Sequence, residues 1–72
     1  MQDGTTIEKG TAALAQYEAD ELRRWFERDG EAVVVAQSGL SRLTLARAAA
    51  RLAIHAGSRA AVRLALARRR AA

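Results

Sequence analysis

The sequence predicts an all-α fold, a compact bundle of four to five short helices, on three observations. Alanine fills 18 of the 72 positions and proline none, a composition suited to close-packed helices, since alanine has the highest helix propensity and proline the lowest. Apolar residues recur three and four apart in several separate stretches, the spacing that lines one face of a helix. Only one stretch, around Val33-Val34-Val35, has the propensity of a strand, and a strand there would have no partner for its backbone groups. A chain this short buries only about 60% of its unfolded surface. With no cysteine and a single histidine, neither disulfides nor a Cys/His zinc site can supplement the core. A two-domain enzyme does not fit in this length, and the small core gives a reason to self-associate.

Each element follows from local signals. Residues 1–10, with Gly4, Gly10 and paired threonines, lack periodicity and are expected to form a mobile N-terminal arm. Residues 11–67 then form the folded domain. Thr11 reads as the N-cap of a helix running to about Asp29, whose stripe of Leu14, Ala15, Ala19, Leu22, Trp25 and Phe26, joined by Tyr17, faces inward while Glu18, Glu21, Arg24 and Glu27 face water. Gly30 supplies a left-handed stop. Glu31 to Gln37 is expected to be a short helix despite its valines. Gly39-Leu40 turns the chain, and Ser41 caps a helix from Arg42 to about Leu52 with Leu45, Ala48, Ala49 and Leu52 inside. Gly57 and Ser58 break and recap the chain before a last helix, about Arg59 to Arg68, that buries Val62, Ala65 and Leu66 with Ala61 and Leu64 on its flank. Residues 68–72 read as a basic C-terminal tail.

The net charge of +4 is unevenly distributed. Residues 1–31 hold all eight acids and four bases, a net of −4, whereas residues 32–72 hold eight arginines and no acid, a net of +8. Arginine's planar fork pairs bidentately with phosphate and with the guanine edge, so a polyanion is the first partner to consider.

Gln37-Ser-Gly-Leu-Ser-Arg-Leu-Thr-Leu-Ala-Arg47 resembles the core of a helix-turn-helix. Gly39 permits the positive φ of the turn, Leu40 plugs the angle between the helices and Ser41 caps the second one. Val34 and Val35 precede the glycine where the motif packs apolar and small residues; valine stands at position 35 where alanine is usual. Leu45 and Ala48 occupy the buried positions that follow. From about Leu22 to Leu66, the order of helix, Asp-Gly stop, short helix, Gly-Leu-Ser turn, Thr-Leu-Ala-Arg helix, link with Gly57 and final helix resembles the repressor/Cro-type domain of the lambda-repressor-like family, over roughly two thirds of the chain. The resemblance implies a small, usually dimeric transcription regulator that binds palindromic operators. Glu31, Ala32 and Val33 stand where that family often places polar residues able to touch phosphate.

In such a unit the second helix enters the DNA major groove with its outward residues on base edges. These are Arg42, Leu43, Ala46, Arg47 and Ala50. Arg47 is the foremost candidate to grip a guanine, and Leu43 suits a thymine methyl or, equally, another protein chain. Phosphate contacts are assigned to Ser41, Thr44, Arg51, Arg59, Arg63, Arg68, Arg69 and Arg70, the turn and cap to Gly39, Leu40 and Ser41. Dimerisation would use the last helix around Leu64 with Leu66 or Ala67.

Other constellations carry no chemistry. His55 has no carboxylate, cysteine or second histidine in its half of the chain, so neither metal binding nor base catalysis is assigned and it reads as a surface or phosphate-neighbouring imidazole in a loop. Glu18, Glu21 and Glu27 beside Arg23, Arg24 and Arg28 are spaced for ordinary helix ion pairs. Trp25-Phe26 reads as core rather than as a base-stacking platform. The chain is expected to be no enzyme, to need no metal, cofactor or small-molecule ligand, and to lie in the cytoplasm, with no membrane span and no leader-like start. The expected partner is double-stranded DNA, bound by a homodimer. Two alternatives are a structural binder that coats DNA without reading it and a protein-interaction module, antitoxin-like or a phage adaptor, whose arginine face meets an acidic protein.

Overall fold

The computed structural model describes residues 10–72, so residues 1–9 of the expected arm lie outside the described residues. Four helices carry about three quarters of the described chain: α1 Gln16–Asp29, α2 Glu31–Ser38, α3 Arg42–Ala49 and α4 Ala56–Ala71. Two short strands, β1 Thr11–Ala12 and β2 Ile54–His55, pair antiparallel with Thr11 opposite His55 and Ala12 opposite Ile54. The all-α expectation therefore holds, with a small ribbon added.

The ribbon corrects the expected start of the first helix. Thr11 is not its N-cap but extended backbone in β1, and the helix begins at Gln16. The Glu18 carboxylate fixes that start by accepting from the Ala15 backbone N–H at 3.0 Å, which satisfies one of the donors a helix N-terminus leaves open. Leu14, just ahead of the helix, is fully buried. At the other end Gly30 has φ +88° but ψ 158°, extended rather than left-handed helical, and its N–H donates to the Phe26 carbonyl. The same residue ends α1 and begins α2.

The valine stretch is helical, as expected: Val34 is buried and Val35 packs against the core. Gly39 takes the left-handed conformation at φ +74° and ψ 10°, and Ser41 Oγ accepts from the Thr44 N–H at 3.1 Å. The helix that follows is shorter than expected. It stops at Ala49 because Arg51 adopts φ +60° and closes the turn, its N–H reaching the Ala48 carbonyl while that of Leu52 reaches the Arg47 carbonyl. This is the Schellman closure, with arginine where glycine is usual. Leu52, expected inside, is half exposed as a result.

Helix α4 is longer than expected at both ends. Gly57 and Ser58 lie within its first turn instead of breaking the chain, and Arg68, Arg69 and Arg70 continue it rather than forming a separate tail. The core is Leu14, Leu22, Trp25, Val34, Leu45, Ala48, Ile54, Val62, Ala65 and Leu66, with Phe26, Val35, Leu40 and Ala49 packed against it. Trp25 is thus a core residue. Leu66 is fully buried, which removes it from the expected dimer surface, whereas Tyr17 and Leu64 are exposed.

Candidate nucleic-acid interface

Helix α3 follows α2 across the turn Gly39-Leu40-Ser41 and turns two faces in opposite directions. Leu45 and Ala48 are buried, while Arg42, Leu43, Ala46, Arg47 and Ala50 at its end are all exposed. The five residues expected to face DNA therefore share the solvent side. Leu43 is 70% exposed, an unfavourable place for leucine in water alone. Ala46 and Ala50 add little bulk to this face. The helix start is held by Ser41, whose hydroxyl also donates to Thr44 Oγ1 at 3.0 Å.

The arginines divide by what they touch. On the α1–α4 side, Arg63 makes a bidentate pair with Glu18 at 2.7 and 3.1 Å, and Arg70 another with Glu21 at 3.0 and 3.0 Å. Arg69 lies over the Trp25 ring, 5.7 Å from its centre, within the range where a cation is drawn to the ring face. Glu18, expected on the solvent face, is buried. The Arg63 hydrogen bonds above all hold its carboxyl below the ordinary range, aided by the Ala15 N–H and by the charges of Arg63 and Arg70, against the opposing effect of burial. Among the described residues no buried side-chain polar atom is left without a partner.

Around the ribbon the arginines meet backbone carbonyls instead. Arg47 donates to the Ala53 carbonyl at 3.1 Å, Arg51 to the Leu14 carbonyl at 3.0 Å, and Arg59 to those of Ile54 at 2.8 Å and Ala12 at 3.3 Å. A carbonyl satisfies the N–H groups but leaves the positive charge uncompensated, whereas the carboxylates of Glu18 and Glu21 compensate Arg63 and Arg70 on the α1–α4 side. Arg42 is intermediate, paired with Glu31 at 3.1 Å while its side chain stays 76% exposed; a surface pair of this kind is weak and easily exchanged. Arg68 makes no ion pair among the described residues.

Beside α3 lies a groove of about 330 Å³, walled by Leu43, Thr44 and Arg47 of α3, Thr11 of β1, Ala53, Ile54 and His55 in and before β2, and Ser58 of α4. Among the described residues no carboxylate lines it. Thr44 and Arg47 were expected to contact DNA and His55 to lie at the surface or near phosphate; that Thr11, His55 and Ser58 line one groove with them depends on the ribbon and the start of α4. Among the described residues no group of three or more His, Cys, Asp or Glu is gathered to hold a metal ion, and no helix is long and apolar enough to cross a membrane.

Fold and site together define an all-α domain that presents a capped, solvent-facing helix on a glycine turn, flanked by a groove that no carboxylate lines among the described residues. No family model matches the chain, and neither a curated protein nor a solved structure matches it.

Proposed function

We propose that this domain is a sequence-specific binder of double-stranded DNA, a transcription regulator of lambda-repressor-like fold that inserts α3 into the major groove. The observation that carries the reading is the outward face of α3: Arg42, Leu43, Ala46, Arg47 and Ala50 exposed together behind the Ser41 cap. Of these, Arg42 and Leu43 stand at the N-terminal end that approaches base edges in such a docking. Arg42 exchanges its surface pair with Glu31 for a guanine edge, and Leu43 meets a thymine methyl. Arg47 would have to release the Ala53 carbonyl to reach a base.

A homodimer supplies the affinity that one short helix lacks, on half-sites roughly 34 Å apart. The α4 surface that carries Leu64, 52% exposed, and exposed Ala67 is the proposed contact. Selection of bound sequences from random duplexes, followed by titration of the selected site against random duplex, tests the reading. A palindromic site bound at least a thousandfold more tightly supports it. A preference below tenfold with a steep salt dependence instead indicates a coating protein, and no duplex binding near physiological salt indicates a protein partner. Leu43→Ala should lower discrimination at one base pair, by roughly 1 kcal/mol or somewhat more.

A further inference from the structure

We propose that the groove beside α3 seats one phosphodiester oxyanion of the bound duplex, with Arg47 as its charged contact and Thr44, His55 and Ser58 as hydrogen-bond donors. The proposal rests on the DNA-binding reading above and moves Arg47 from base reading to backbone contact. Arg47 forms part of the groove wall, and the Ala53 carbonyl at 3.1 Å holds its guanidinium there through one nitrogen. A guanidinium carries five N–H donors, so most of its capacity remains for an anion. Thr44 Oγ1 already accepts from Ser41, which leaves its own hydrogen to donate elsewhere. His55 is fixed by its place in the ribbon opposite Thr11, and Ser58 joins from the first turn of α4. These groups line one groove from three separate elements, with no carboxylate beside them among the described residues, an arrangement suited to an oxyanion. Leu43 and Ile54 give the remaining wall an apolar surface suited to deoxyribose. A strand whose bases face α3 has its backbone alongside that helix, so reading and phosphate contact are compatible in one docking.

The test compares Arg47→Ala and Arg47→Lys with the unaltered protein on a selected duplex and on random duplex. Arg47→Ala should weaken both about equally, tenfold or more, and make the log-affinity against log-salt slope shallower by about 0.9, the amount for one phosphate; Arg47→Lys should restore the slope. Ethylating one particular phosphate of the selected duplex should impair binding by the unaltered protein and no longer impair Arg47→Ala. If Arg47→Ala instead relaxes preference at a single base pair with the slope unchanged, the groove proposal is overturned and Arg47 is a base reader. Inorganic phosphate titrated into labelled protein separates the two readings without DNA. Amide shifts at Thr44, His55 and Ser58 that vanish in Arg47→Ala support the seat even if no duplex binds. Absence of both the shifts and the slope change removes it.

Discussion

The two sides of this molecule use the same residue type to opposite ends. Between α1 and α4, Arg63 and Arg70 each meet a carboxylate and Arg69 meets an aromatic ring. Around the ribbon and α3, Arg47, Arg51 and Arg59 meet only carbonyls or a side-chain amide. All six belong to the acid-free stretch after Glu31. The excess of +8 there is therefore no measure of the charge a partner encounters: the acids of α1 compensate Arg63 and Arg70 and leave Arg47, Arg51 and Arg59 without a carboxylate.

The strongest way to break this contrast is to strand Glu18. Arg63→Ala leaves a buried carboxylate without its main partner and should cost about 3 kcal/mol, the lower end for such a loss because water gains access once the long side chain is gone. Chemical denaturation measures it. Glu18→Gln should cost less, since the Arg63 left behind is half in water. If the two variants are equally destabilised, the pair is not governed by the burial of Glu18.

The same pair predicts an acid limb. The Glu18 carboxyl is lowered from an ordinary value of 4.5, so the unfolded chain takes up its proton first as pH falls. Its contribution is then complete above about pH 4.5 and is lost as pH drops from there through the lower folded value. Thermal unfolding of Glu18→Gln should show a smaller loss between neutral pH and pH 3 than the unaltered protein. An identical acid limb in both would assign the loss to other carboxylates.

A test of the ribbon side uses Arg51, whose φ of +60° is uncommon for a residue with a side chain. A left-handed conformation costs such a residue about 1–2 kcal/mol, and glycine avoids it. Arg51 offsets part of this by bonding the Leu14 carbonyl and Gln16, which ties the end of α3 to the segment ahead of α1. Arg51→Ala keeps the strain and loses the bonds; Arg51→Gly loses both. The glycine variant should be the more stable of the two by about 1 kcal/mol in denaturation. Equal stabilities would mean that the turn relaxes when the side chain is removed.

These sites also mark where the sequence was legible. Val34, Gly39, Ser41, Leu45 and Ala48 were readable because turn, cap and buried face are set by spacing within a dozen residues, and each lies where expected. The ribbon was not, because two-residue strands have no pattern and this pair closes across more than 40 positions, braced by Arg59. The burial of Glu18 depends on a partner 45 residues away. The end of α3 was misplaced because arginine occupies a turn position where glycine would have announced it. Exposure of the α3 face followed from helical period alone, whereas the groove beside it required the tertiary arrangement of β2 and α4.

The smallest expected effect is that of Arg70→Ala. Arg70 sits at the exposed end of α4, its guanidinium raised further above its ordinary range by the Glu21 hydrogen bonds and charge. Glu21 is less deeply buried than Glu18, with 14% of its side chain exposed against 7%, and losing the long partner opens it to water, so the melting temperature should move less than in Arg63→Ala. If the α1–α4 side is turned away from DNA, duplex affinity and its salt slope should be unchanged as well. A slope shallower by about 0.9 would mean that Arg70 leaves Glu21 for a phosphate. The neutralised side would then be a reserve of cations released on binding, and the contrast between the two faces would hold only for the unbound protein.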